Sequence, residues 1–133
     1  MHRMLAQNPA SDVRPLWPAG ARPSRRTARR FCDLTVVATA AAFALPVAEL
    51  TAATRRAPSI AFARQCAMYL AYVGFGLSFS EIGRGFGRDR TTAAHACRLV
   101  EDRRDDPAVE AMLAGLEGAC ASLRLRLAAP VRP

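Results

Sequence analysis

A chain of 133 residues has room for one domain with tails, and a 51% hydrophobic fraction is enough to build a small core. All nineteen basic residues are arginine, and against eleven acids they leave a net charge of +8. Without lysine there is neither a Walker A phosphate loop nor Schiff-base chemistry, since both need an amine, and the positive excess points to a polyanion or an acidic membrane surface as partner.

Residues 1–30 hold seven arginines against one acid, with four prolines and little apolar periodicity, and predict a disordered basic arm. Arg29-Arg30-Phe31 followed by Leu34 to Leu45 has the outline of a twin-arginine export signal. Asp33 interrupts it, and an apolar run of about 12 residues is too short to span a bilayer. The spacing predicts instead an amphipathic helix with Leu34, Val37, Ala41, Ala44 and Leu45 on its buried stripe. Pro46 ends it or opens a short turn through Glu49 and Leu50. A second helix is predicted from Ser59 to about Val73, burying Ile60, Ala63, Ala67, Leu70 and Ala71, with Gly74 and Gly76 as stop signals.

Ser78-Phe79-Ser80-Glu81 fits the S-x-x-E capping box, in which a serine hydroxyl and a glutamate each satisfy a free backbone N–H. A short helix carrying Ile82 and Phe86 should start there and end at Gly85 or Gly87. Asp89 is a good N-cap for the next helix, predicted through Thr91 to about Arg103. That is a helix-turn-helix layout. On the second helix Ala93, Ala96, Cys97 and Val100 share one side, while Thr91, Ala94, His95 and Arg98 share the other, where small alanines let the backbone approach a groove floor. Arg90 sits at the N-terminus, where recognition helices touch base edges. Gly83, Gly85 and Gly87 follow no strand and are read as turn glycines, not a dinucleotide loop.

Beyond Asp106, which caps, and Pro107, which suits a first helical position, a further amphipathic helix runs to Leu127. Its stripe of Val109, Met112, Leu113, Leu116, Cys120, Leu123 and Leu127 packs on the bundle or forms a homodimer seam. Cys32, Cys66, Cys97 and Cys120 are far apart, with no CxxC pair, and read as small buried hydrophobes. With only His2 and His95 beside them, neither a metal site nor a catalytic set is predicted, and no cofactor is implied.

The run Arg64-Gln65-x-Ala67-Met68-x-Leu70-Ala71, then Leu77-Ser78-x-x-Glu81-Ile82-Gly83-x-x-Phe86-Gly87-Arg88-Asp89-x-Thr91-Thr92-x-x-His95-Ala96-Cys97-Arg98, resembles the C-terminal DNA-binding domain of the bacterial replication initiator DnaA. Val47-Ala48-Glu49-Leu50 followed by Arg55-Arg56 extends the resemblance more weakly upstream, so that it covers about residues 34–104. It implies an all-α, Trp repressor-like helical bundle. Its helix-turn-helix would read the major groove of a DnaA box in double-stranded DNA while a basic loop reaches the adjacent minor groove.

Carried over by position, the resemblance assigns base reading to Asp89, Arg90 and Thr91 in the major groove and to Arg56 in the minor groove. It assigns Arg64, Gln65, Thr92 and His95 to phosphates, with Arg55 and Arg98 as further phosphate candidates. Two departures stand out. Arg90 replaces the family's histidine, and a guanidinium fork can bond O6 and N7 of one guanine together, a preference worth roughly 1–3 kcal/mol. The turn has one glycine where many members have two. Asp89 would either accept from a cytosine amine or act only as the N-cap.

The expected organisation is a basic arm over residues 1–30, a DnaA-like domain over 31–104, and a C-terminal helix with a short tail over 105–133. The expected role is cytoplasmic, nucleoid-associated and non-enzymatic, in replication initiation or transcription. ATP-driven origin melting is not expected, since the sequence holds no P-loop. The rival is an exported or purely protein-binding helical module with no DNA role.

Overall fold

The computed structural model describes residues 17, 21–52 and 57–128. Among them are six helices and no strand: α1 (Arg25–Ala42), α2 (Val47–Thr51), α3 (Pro58–Phe75), α4 (Phe79–Phe86), α5 (Arg90–Arg103) and α6 (Pro107–Ala128). The chain is therefore all-α, as its periodicity implies.

α1 departs from expectation at its start and in its phase. Ser24 caps it, the hydroxyl accepting from the Thr27 N–H at 3.1 Å, so residues 25–30 of the expected arm are helix. The segment ahead of the cap is also tied down. The Trp17 indole N–H donates to the Phe75 carbonyl at 2.9 Å, its ring packs 5.8 Å from that of Phe31, and Arg22 reaches Gly76 O and the Glu81 carboxylate. The buried stripe is Ala28, Phe31, Cys32, Thr35, Val36, Thr39 and Ala40, while Leu34 and Val37 are 40% and 54% exposed. The expected stripe thus faces outward along α1, while Leu45, past the helix end, packs on the core as expected. Starting the helix nine residues earlier brings Phe31 and Cys32 into the core, and Thr35 follows them because its hydroxyl bonds to the Cys32 carbonyl at 2.9 Å and needs no water.

α2 is the short turn beyond Pro46. α3 is the central helix, touched by all five others. It therefore buries more than one stripe: Ala63, Ala67, Leu70 and Ala71 as expected, and also Cys66, Met68, Tyr69, Gly74 and Phe75. Gly74 is not a stop. It lies within α3, where a Cβ would sit 3.1 Å from Cys120 of α6, and the helix ends at Gly76, whose φ of 66° is left-handed.

α6 begins as expected, with Asp106 accepting from the Ala108 N–H at 2.8 Å. Val109, Met112, Leu113, Leu116, Cys120 and Leu123 pack into the clusters built around α3, so this stripe is used within the chain; the Leu127 side chain lies outside the described residues. Arg104 fastens the helix in place. Its side chain is 5% exposed, and its guanidinium donates to Glu110, to Glu117 at 2.9 Å and to the Tyr69 hydroxyl at 3.1 Å. All four cysteines are buried free thiols; burial pushes Cys32, Cys66 and Cys97 up to about 12 and Cys120 to about 11.

Candidate nucleic-acid interface

α4 starts on the capping box. The Glu81 N–H donates to the Ser78 hydroxyl at 3.1 Å, and the Ser78 N–H donates to the Glu81 carboxylate at 2.8 Å. Burial alone would raise the Glu81 pKa, but the hydrogen bonds from Ser78 and the Arg22 guanidinium outweigh it and hold the carboxyl below its usual range.

The exit from α4 is a left-handed Gly87 with φ of 67°, after which the Arg88 N–H returns to the Gly83 carbonyl at 2.8 Å. Only Gly87 is a turn glycine. Gly83 and Gly85 lie within α4 and serve close approach. A Cβ on Gly83 would sit 2.6 Å from the Arg88 carbonyl oxygen, and one on Gly85 would overlap Cys32 of α1. One glycine thus lets the turn fold back onto α4, and the other lets α1 lie against it.

α5 begins where Asp89 accepts from the Thr92 N–H at 2.7 Å, a bond that lowers the Asp89 pKa. Of the two roles left open for Asp89, the structure displays the N-cap. Ala93, Ala96, Cys97 and Val100 are buried, as the wheel predicts, together with Glu101, which accepts from Tyr69. Arg90, Thr91, Thr92, His95 and Arg98 are exposed and Ala94 is half-buried. α5 therefore presents one hydroxyl-rich, cationic side with a low alanine floor. Arg90, in its first turn, has no ion pair among the described residues and no acid beside it in that turn.

Other expected contacts stand apart from α5. Gln65 is half-buried on α3. Arg64 is engaged by the chain itself: it donates to the carbonyls of Leu50 at 2.7 Å, Ala52 at 3.0 Å and Glu49 at 3.4 Å, capping α2. Those carbonyls lead into the segment that carries Arg55 and Arg56, which lie outside the described residues. Two exposed or half-exposed cations flanking the turn, Arg84 on α4 and Arg88 in the turn, had no role in the sequence reading. The signal for them was their charge at exposed positions of a helix-turn-helix.

The helix pair, the glycine under its turn and the capped second helix agree with comparison to known families. The family described as the bacterial DnaA protein helix-turn-helix matches residues 33–100, just over half of the chain. The chain belongs to this family. A DnaA helix-turn-helix implies DNA binding and is not itself catalytic. The matched region runs from within α1 to near the end of α5, so it spans α2 to α4 whole. α6 and the first turns of α1 lie outside it. Among the described residues no helix is long and apolar enough to cross a membrane, and no three His, Cys, Asp or Glu gather as a metal site.

Proposed function

We propose that the protein binds double-stranded DNA sequence-specifically, at a DnaA-box-like site, with the first turns of α5 in the major groove. The observation that carries this reading is the division of α5: one side is sealed into the core by Ala93, Ala96, Cys97 and Val100, and the other offers Arg90, Thr91, Thr92, His95 and Arg98 to solvent. Arg90 bonds a guanine through its fork, and Thr91 sets its methyl against a thymine methyl. Asp89 holds the helix start that aims them. Thr92, His95, Arg98 and Gln65 bond phosphates, which fix register without reading sequence. Arg56 enters the neighbouring minor groove and Arg55 bonds a phosphate, while Arg64 is held by the carbonyls of α2 and Ala52.

The biological use is occupation of such sites in the cytoplasm, at the nucleoid, either to modulate replication initiation or to regulate transcription at related promoters. Neither use draws on ATP hydrolysis. Fluorescence anisotropy against a box-containing duplex and a scrambled duplex tests the reading. Specific binding exceeds non-specific binding by about 10³-fold or more in typical cases, so a clear preference for the box is expected. Equal affinity for both duplexes, or affinity for neither, contradicts it.

A further inference from the structure

We propose a second DNA-backbone contact where the first turns of α1, which precede the family-matched region, meet α4 within it: Arg25 and Arg29 together with Arg84 clamp phosphates of the strand bordering the groove that α5 enters. It rests on the DNA-binding reading above and extends that reading from the helix-turn-helix to the first turns of α1.

α1 opens with Arg25, Arg26, Arg29 and Arg30, all exposed, and with no acid in its first turn. None of the four has an ion pair among the described residues. For an isolated helix this is the wrong chemistry twice over. Like charges four residues apart repel, and cations at an N-terminus oppose the positive end of the helix dipole. A segment that breaks local rules with no ion pair among the described residues to offset them is the kind expected where a ligand supplies the compensation.

The ligand chemistry follows from the surroundings. A crevice of about 200 Å³ separates α1 from α4, lined by Arg25, Ala28 and Arg29 on one side and Glu81, Arg84 and Gly85 on the other. Its carboxylate, Glu81, is already bonded by Ser78 and Arg22, and the three lining arginines, Arg25, Arg29 and Arg84, have no ion pair among the described residues. Arginines gathered around one crevice without a free carboxylate to receive them match phosphate oxygens.

The placement selects a nucleic-acid backbone over other sources of phosphate. Successive residues of a helix turn by about 100°, and Gly83 faces the turn before α5 while Gly85 faces Cys32 of α1. Arg84, between them in sequence, therefore lies on the solvent arc that joins the two sides. Arg84 thus stands between the side of α4 that meets the turn before α5 and the side that shares a crevice with Arg25 and Arg29. Packed helices lie about 8–10 Å apart, which puts α1 roughly 15–20 Å from α5. A major groove is about 12 Å wide, so a helix at that offset stands over the sugar-phosphate strand beyond it.

The test is a salt series of anisotropy titrations on the full chain with box and scrambled duplexes. Arg25→Ala/Arg29→Ala/Arg84→Ala is expected to weaken binding to both duplexes by the same factor, about tenfold or more at low salt. It should lower the slope of log K against log salt by about 0.9 per arginine, leaving the preference between duplexes intact. Lysine at the same three positions restores the slope. Arg124→Ala/Arg126→Ala, which removes charge from the far end of α6, leaves it unchanged. Wild-type binding that discriminates between duplexes, with an unaltered slope in the triple variant, overturns this inference alone. Absence of duplex binding by the wild type overturns the proposed function instead. Loss of binding to phosphatidylserine vesicles in the triple variant, with duplex binding untouched, assigns the clamp to a membrane and also overturns it.

Discussion

Arg104 shows how one side chain can hold an element that the family match does not reach. It is 5% exposed, and burial alone would disfavour its charge, but the hydrogen bonds it donates to Glu117, Glu110 and Tyr69 raise its pKa overall. Arg104→Ala leaves those acceptors without their cation. Breaking a fully buried pair costs about 3–5 kcal/mol, and since Glu110 and Glu117 remain 39% and 29% exposed, a loss of about 2–3 kcal/mol is expected in urea denaturation. Arg104→Lys should recover only part, because an ammonium on a single stem cannot reach all three acceptors in the fork geometry. Neither change should alter the preference between duplexes. This hub was not legible in the sequence, because Tyr69 and Arg104 lie 35 residues apart and helical periodicity carries no information on which distant groups meet. The same holds for Arg22 and Glu81. Arg64 illustrates the converse: its position matched a phosphate-contacting residue, yet the end of α2 supplies carbonyls that engage it.

At the scale of the helix, legibility divides by whether the cause is local. The capping box at Ser78 and Glu81, the left-handed Gly87 and the Asp89 cap were all legible, because each is chemistry between residues within a single turn. The buried and exposed sides of α5 were legible for a related reason, since its four small core residues repeat at helical spacing. The phase of α1 was not. Its inward stripe is chosen by a distant partner: Gly85 makes room for Cys32, and Phe31 stacks on Phe75 with ring centroids 4.4 Å apart. Two threonines lie on that stripe, and two large aliphatic residues lie off it, so hydrophobicity alone selected the wrong side. Adjacent valines test the phase. Val37→Gln should change stability by no more than about 0.5 kcal/mol in thermal or urea unfolding, as surface changes do. Val36→Gln, which buries an amide at a position 5% exposed, should cost several times more.

For the molecule as a whole, the core is small and its four thiols report on its integrity together. Folded, they keep their protons up to about pH 11 to 12, whereas an unfolded chain loses them near the ordinary 9.0. The unfolded state therefore binds fewer protons between those limits. The thiols' contribution to stability is intact below about pH 9 and falls away as pH rises through 11 to 12. At pH 8 a disulfide reagent should modify none of the four in the native protein and all four, in one phase, once denaturant unfolds it. Early modification of a single cysteine would show that its helix opens independently of the rest.

The other whole-molecule property is the distribution of charge. Arginines are exposed on α5, α4 and α1 of a chain of net charge +8, and the central claim is that the α5 part of this charge reads base edges. The most direct measurement is a double-mutant cycle between Arg90→Ala and a box duplex carrying 7-deazaguanine, which removes the N7 acceptor from the major groove one guanine at a time. At one guanine, the wild type should lose about 1–3 kcal/mol of binding free energy and Arg90→Ala should lose almost nothing more. Equal losses for both proteins at every guanine would place Arg90 away from the base edges and contradict the account.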